Sequence, residues 1–85
     1  MIAITETTVG SLGGVRVAIG NIFVQDYRDS DNRVHNGPAV MVSVPGSPRV
    51  LVGAGSRLSL ASGVWDVVEV TPGPENRGRI TFTES

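Results

Sequence analysis

The chain contains one histidine, His35, eight serines, and neither cysteine nor lysine. A histidine serves a serine nucleophile only when the fold brings both within hydrogen-bond reach and a third group orients the ring. No serine here lies in a Gly-x-Ser-x-Gly elbow, the turn that presents such a nucleophile between a strand and a helix. The absence of lysine removes Schiff-base chemistry on a side-chain amine. The absence of cysteine removes thiolate catalysis, disulfides and Cys-ligated zinc. His35 precedes Asn36-Gly37 and reads as a solvated turn residue. No catalytic residue can be assigned, and the chain is not read as an enzyme.

Carboxylates offer the next chemistry. The segment Asp29-Ser30-Asp31-Asn32-Arg33 opens like a calcium loop, with acidic residues at its first and third positions. It then departs from that pattern. Arg33 stands fifth, Val34 stands where glycine is required, and Val40 stands where a bidentate glutamate would close the loop. The segment therefore reads as a turn in which Asp and Asn side chains bond their own backbone. Gly53-Ala54-Gly55-Ser56 lacks the third glycine and the Lys-Ser/Thr ending of a phosphate loop. Neither a metal nor a cofactor is expected.

What remains is recognition. Tyr27, Arg28, Asp31 and Arg33 share the polar stretch Asp26–Pro38, and Tyr and Arg are the residue types that dominate binding hot spots. They are the candidate partner-binding residues. Small β-barrels also bind single-stranded nucleic acid with stacked aromatics in a basic groove. The four aromatics are Phe23, Tyr27, Trp65 and Phe82, and the alternation sends Trp65 and Phe82 inward. A net charge of −1 leaves no broad basic surface for nucleic acid or membrane lipid.

These residues need a scaffold. At 85 residues, 40% hydrophobic and 18% charged, the chain is expected to form a single domain spanning 1–85. Fourteen valines, five isoleucines and six threonines favour strands, and eleven glycines and five prolines interrupt every helical window. Six or seven short strands are expected, with no significant helix, in a small bent antiparallel barrel or sandwich. The first should run from Ile2 to Val9, with a turn over Gly10–Gly14. Two slips in the apolar alternation, at Gly20-Asn21 and near Val67-Val68, predict β-bulges. The polar stretch 26–38 should be partly extended hairpin, turning near Asp29–Asn32. Inward positions include Ile4, Val15, Val17, Val40, Val50, Leu58, Trp65 and Phe82.

The function expected from this reading is non-enzymatic: a small β-domain that binds another protein or its own copies, as an accessory, inhibitor, immunity-type or assembly subunit. The alternatives are a nucleic-acid-binding barrel and a metal- or ligand-binding lobe. No segment approaches the roughly 20 apolar residues of a membrane helix, and the N-terminus lacks the charged and apolar regions of a leader. With no cysteine, a bacterial or phage protein of the cytoplasm is the expected setting.

Overall fold

The structure, a computed structural model, describes residues 1–85. It is all-β, with eight strands: β1 (Ile2–Thr5), β2 (Val9–Leu12), β3 (Val15–Arg28), β4 (Val34–Ser43), β5 (Val50–Gly53), β6 (Arg57–Leu60), β7 (Gly63–Thr71) and β8 (Arg79–Glu84). A single 3₁₀ turn, Pro74–Asn76, is the one helical feature. None of the structure is a helix long and apolar enough to cross a membrane.

Two antiparallel sheets form, in the orders β1-β8-β7-β6 and β2-β3-β4-β5. The chain passes from one sheet to the other at two corners. β1 and β2 are the arms of one bent strand, and β5 and β6 the arms of another. Following the pairings from β2 through β3, β4 and β5, round the corner to β6, then β7, β8 and β1, returns to the start. The result is a small bent barrel whose two sheets meet at corners without pairing there, with eight strands where the sequence suggested six or seven, because β2 was expected to be a turn.

Both expected bulges are present. The β3–β4 register shifts between Ile19 and Ile22, and the β7–β8 register shifts between Val67 and Glu69. The first returns the apolar face to the interior: Val17 and Ile19 point inward before the bulge, and Ile22 packs against the same core after it. The core joins both sheets through Ile4, Leu12, Val17, Val40, Val52, Leu58, Trp65, Val67, Ile80 and Phe82, among others.

Three expectations need correction. The strand drawn from Ile2 to Val9 breaks at Glu6–Thr8, where Thr7 takes a left-handed backbone (φ 61°). The turn drawn over Gly10–Gly14 is confined to Gly13-Gly14, and Gly10 to Leu12 belong to β2. Gly10 is there for close approach, since a Cβ on it would lie 2.7 Å from Cδ1 of Ile4. Reading it as a turn hid Leu12, which is fully buried. Val50 is exposed and Val15 only half-buried, because they stand where the two sheets splay apart.

Glu6 holds the β1–β2 corner. It is 5% exposed. Its Oε2 accepts the Ile22 N–H at 2.6 Å and its Oε1 the Gly78 N–H at 3.2 Å. Its own N–H donates to the Gly78 carbonyl at 2.8 Å. Removing the carboxylate strands two backbone donors, each costing about 1–3 kcal/mol if buried and unpaired. Glu6→Ala should therefore lower the unfolding free energy by about 2–4 kcal/mol in urea titration, and Glu6→Gln, which keeps one acceptor, should lose less. Thr7 presents the opposite case. A β-branched residue in the left-handed region is strained, so Thr7→Gly should raise stability by about 0.5–1 kcal/mol in the same assay.

Candidate functional site: the β3–β4 hairpin

β3 and β4 pair from Ala18 opposite Ser43 out to Arg28 opposite Val34. The polar stretch of the sequence is thus mostly strand. Its turn is five residues, Asp29 to Arg33, as the expected position near Asp29–Asn32 implied. Asn36-Gly37 lies within β4 rather than in a turn, and His35 is a strand residue.

Asp29 organises the tip. Its Oδ1 accepts the N–H groups of Asp31 (2.8 Å) and Arg33 (3.0 Å). Its Oδ2 meets His35 Nε2 at 2.6 Å. Its N–H donates to the Arg33 carbonyl, and its carbonyl accepts the Asn32 N–H, both at 3.0 Å. Asn32 takes the left-handed conformation the turn requires (φ 63°), which asparagine tolerates. Arg28 donates through Nη1 to the Asn32 carbonyl at 3.0 Å.

The tip is also fastened to the β5–β6 corner. Ser30 N–H donates to the Gly55 carbonyl at 2.9 Å. Ser56 Oγ accepts the Gly53 N–H at 3.0 Å and donates to the Arg28 carbonyl at 2.7 Å. The Tyr27 hydroxyl donates to the Ala54 carbonyl at 3.0 Å. The Tyr27 ring stacks on His35 with centroids 5.6 Å apart and lies over Gly53, where a Cβ would come within 2.5 Å of it.

The structure therefore separates the four candidate residues. Tyr27 is 9% exposed and acts as a strut between hairpin and corner. Arg28, Asp31 and Arg33 stand in solvent at the tip. Sequence reasoning expected Asp side chains to bond their own backbone in this turn, as Asp29 does, but missed His35 as its partner and Gly53 and Ser56 as the seat. The Gly-Ala-Gly-Ser run was the available signal for that seat.

No protein-family model, curated protein or solved structure matches this chain.

The Asp29–His35 pair is a carboxylate–imidazole dyad, but both Asp29 oxygens are committed to bonds within the hairpin. Several exposed side chains on the hairpin are apolar. Phe23 is 62% exposed, Val24 67% and Val34 56%. Val24 shares a face with Pro38, and Val34 with Arg28. Between them Asn36 Nδ2 donates to Asp26 Oδ1 at 3.0 Å. This face continues the one that packs Ile22 and Val40 against the core, extended past the end of the barrel.

The hydrogen bond from His35, with those from the Arg33 and Asp31 N–H groups, holds the Asp29 carboxyl below its ordinary value of 3.8. Because the folded value is the lower one, the stabilisation is complete above pH 3.8 and is lost as pH falls through the lowered value. A ¹³C titration should place the Asp29 midpoint below 3.8, and His35→Ala should move it upward; a wild-type midpoint at or above that value contradicts the geometry. Gly53→Ala should push the Tyr27 ring off its seat, cost about 1–3 kcal/mol, and expose the phenol to quenchers.

Proposed function

We propose that this domain acts by binding another protein through the β3–β4 hairpin, without chemistry of its own. The observation that carries the reading is apolar exposure on a hairpin that hydrogen bonds hold in place. Val24 and Val34 remain in solvent on one face of a hairpin whose tip is fixed by Asp29, Tyr27 and Ser56, and Phe23 is exposed on its other face. Exposed apolar side chains gathered on one element mark interaction surfaces more than scattered ones do. A surface already ordered in its bound shape loses less entropy on association. Arg28, Asp31 and Arg33 supply charged groups at the end of that surface, where they would set orientation and association rate more than affinity.

An accessory, inhibitor, immunity-type or assembly subunit fits this description, and the partner would be a different protein or a further copy. The lack of cysteine supports a reducing bacterial or phage cytoplasm as the setting. A nucleic-acid role is less well supported: Phe23 is the one aromatic left in solvent, and stacking platforms use several.

The test compares wild type with a Val24→Glu/Val34→Glu double variant, both immobilised and exposed to lysate of the source cell. Expected is one stoichiometric protein retained by wild type and lost by the variant, with unchanged circular dichroism. Identical capture by both, with self-association measured by light scattering also unchanged, overturns the assignment of this face to a partner.

A further inference from the structure

The second corner of the barrel does not close. β5 and β6 diverge from the Ala54–Ser56 bend, and their outer edges face no strand. Between them lies a cleft of about 260 Å³ lined by Val42, Val44, Pro48, Val50, Leu58 and Leu60, among others. It shares no residue with the hairpin face.

The backbone along this cleft carries unmade bonds. β6 pairs with β7 through Leu58 opposite Trp65, Ser59 opposite Val64 and Leu60 opposite Gly63. Antiparallel neighbours alternate between bonded and non-bonded pairs. The Val64 carbonyl is taken from the β8 side by the Ser85 N–H at 2.9 Å. Val64 thus directs its main chain away from β6, and Ser59 directs its N–H and C=O away from β7, into the open corner. Unpaired edge groups of this kind are templates for an added strand.

Size and charge narrow the occupant. Small-molecule sites usually run to roughly 300–1,000 Å³, so this cleft suits one or two aliphatic side chains rather than a cofactor. Among the lining residues and their chain neighbours there is no carboxylate, whereas Arg16, Arg49 and Arg57 are all neighbours. Arg57 is bonded to Asp66 (2.8 Å). Arg49, exposed between Pro48 and Val50, has no ion-pair partner.

We propose that the open β5–β6 corner binds an extended segment of a partner protein, with alternating aliphatic residues flanked by carboxylates, as an added strand on β6. The segment's backbone completes the bonds of Ser59, its aliphatic side chains enter the cleft, and its flanking carboxylate meets Arg49. Binding here is independent of the hairpin and stands or falls separately from it.

The probe is a capped nine-residue peptide alternating valine and threonine between paired glutamates. Controls are the same peptide with lysine ends and one N-methylated at its central residue. Amide NMR of the full chain should show shifts at Ser59 and along Val44–Val50, with sub-millimolar affinity. Lysine ends, or Arg49→Glu in the protein, should weaken binding about tenfold, and N-methylation should abolish it. Ser59→Pro removes an N–H that no strand of the barrel uses, and proline is tolerated on edge strands; this variant should keep its fold and lose the peptide. The Val24→Glu/Val34→Glu protein should bind as wild type does. Absence of shifts at Ser59 with millimolar peptide, equal binding of the glutamate and lysine peptides, or retained binding after N-methylation overturns the proposal.

Discussion

The barrel depends on one buried carboxylate. Glu6 sits at the bend between β1 and β2 without an ion-pair partner, and its two oxygens are met by two backbone N–H groups. One donor follows the bulge of β3 and the other precedes β8. A single side chain therefore joins three places: the corner where the chain changes sheets, the bulge that restores the inward face of β3, and the start of β8, an inner strand of the opposite sheet. A buried polar side chain costs free energy unless it is hydrogen-bonded, so these three features are specified together. The strain at Thr7, next in the chain, is the local cost of turning the backbone so that Glu6 points inward.

The same chemistry recurs at the other end of β3. Asp29 also accepts two backbone N–H groups, but in a turn open to solvent and with His35 as a further partner. β3 is thus anchored near its middle by one carboxylate and at its tip by another. Between these anchors the hairpin runs past the end of the core, which is why an apolar face there is left uncovered. Tyr27 joins the two regimes: it belongs to the hairpin by sequence and to the barrel by its seat on Gly53 and Ala54.

Much of this architecture was legible in the residues. β-branched alternation identified strands, and the two places where it slipped marked both bulges, because a period of two cannot absorb an extra residue silently. The turn near Asp29–Asn32 followed from Asx chemistry. Several of the errors share an origin. Glycine was read as a breaker at Gly10 and Gly37, where it is a strand residue; at Gly10 and Gly53 it makes room for a side chain packing across it. Tyr27 is remote from Gly53 in sequence, and Ile4 faces Gly10 across the β1–β2 bend; no local pattern announces either contact. Tyr27 was read as a surface anchor because its register partner His35 and its seat could not be seen together. Glu6 was invisible for the same reason: its donors lie sixteen and seventy-two residues away.

The chain carries one tyrosine and one tryptophan, and the fold has put them in different compartments. Trp65 is packed in the core, its indole N–H reaching Ser62 Oγ at 3.4 Å, while Tyr27 is pinned under the hairpin. Each chromophore therefore observes a separate event, so their emission can distinguish a hairpin that swings free of an intact barrel from a barrel that melts as a whole.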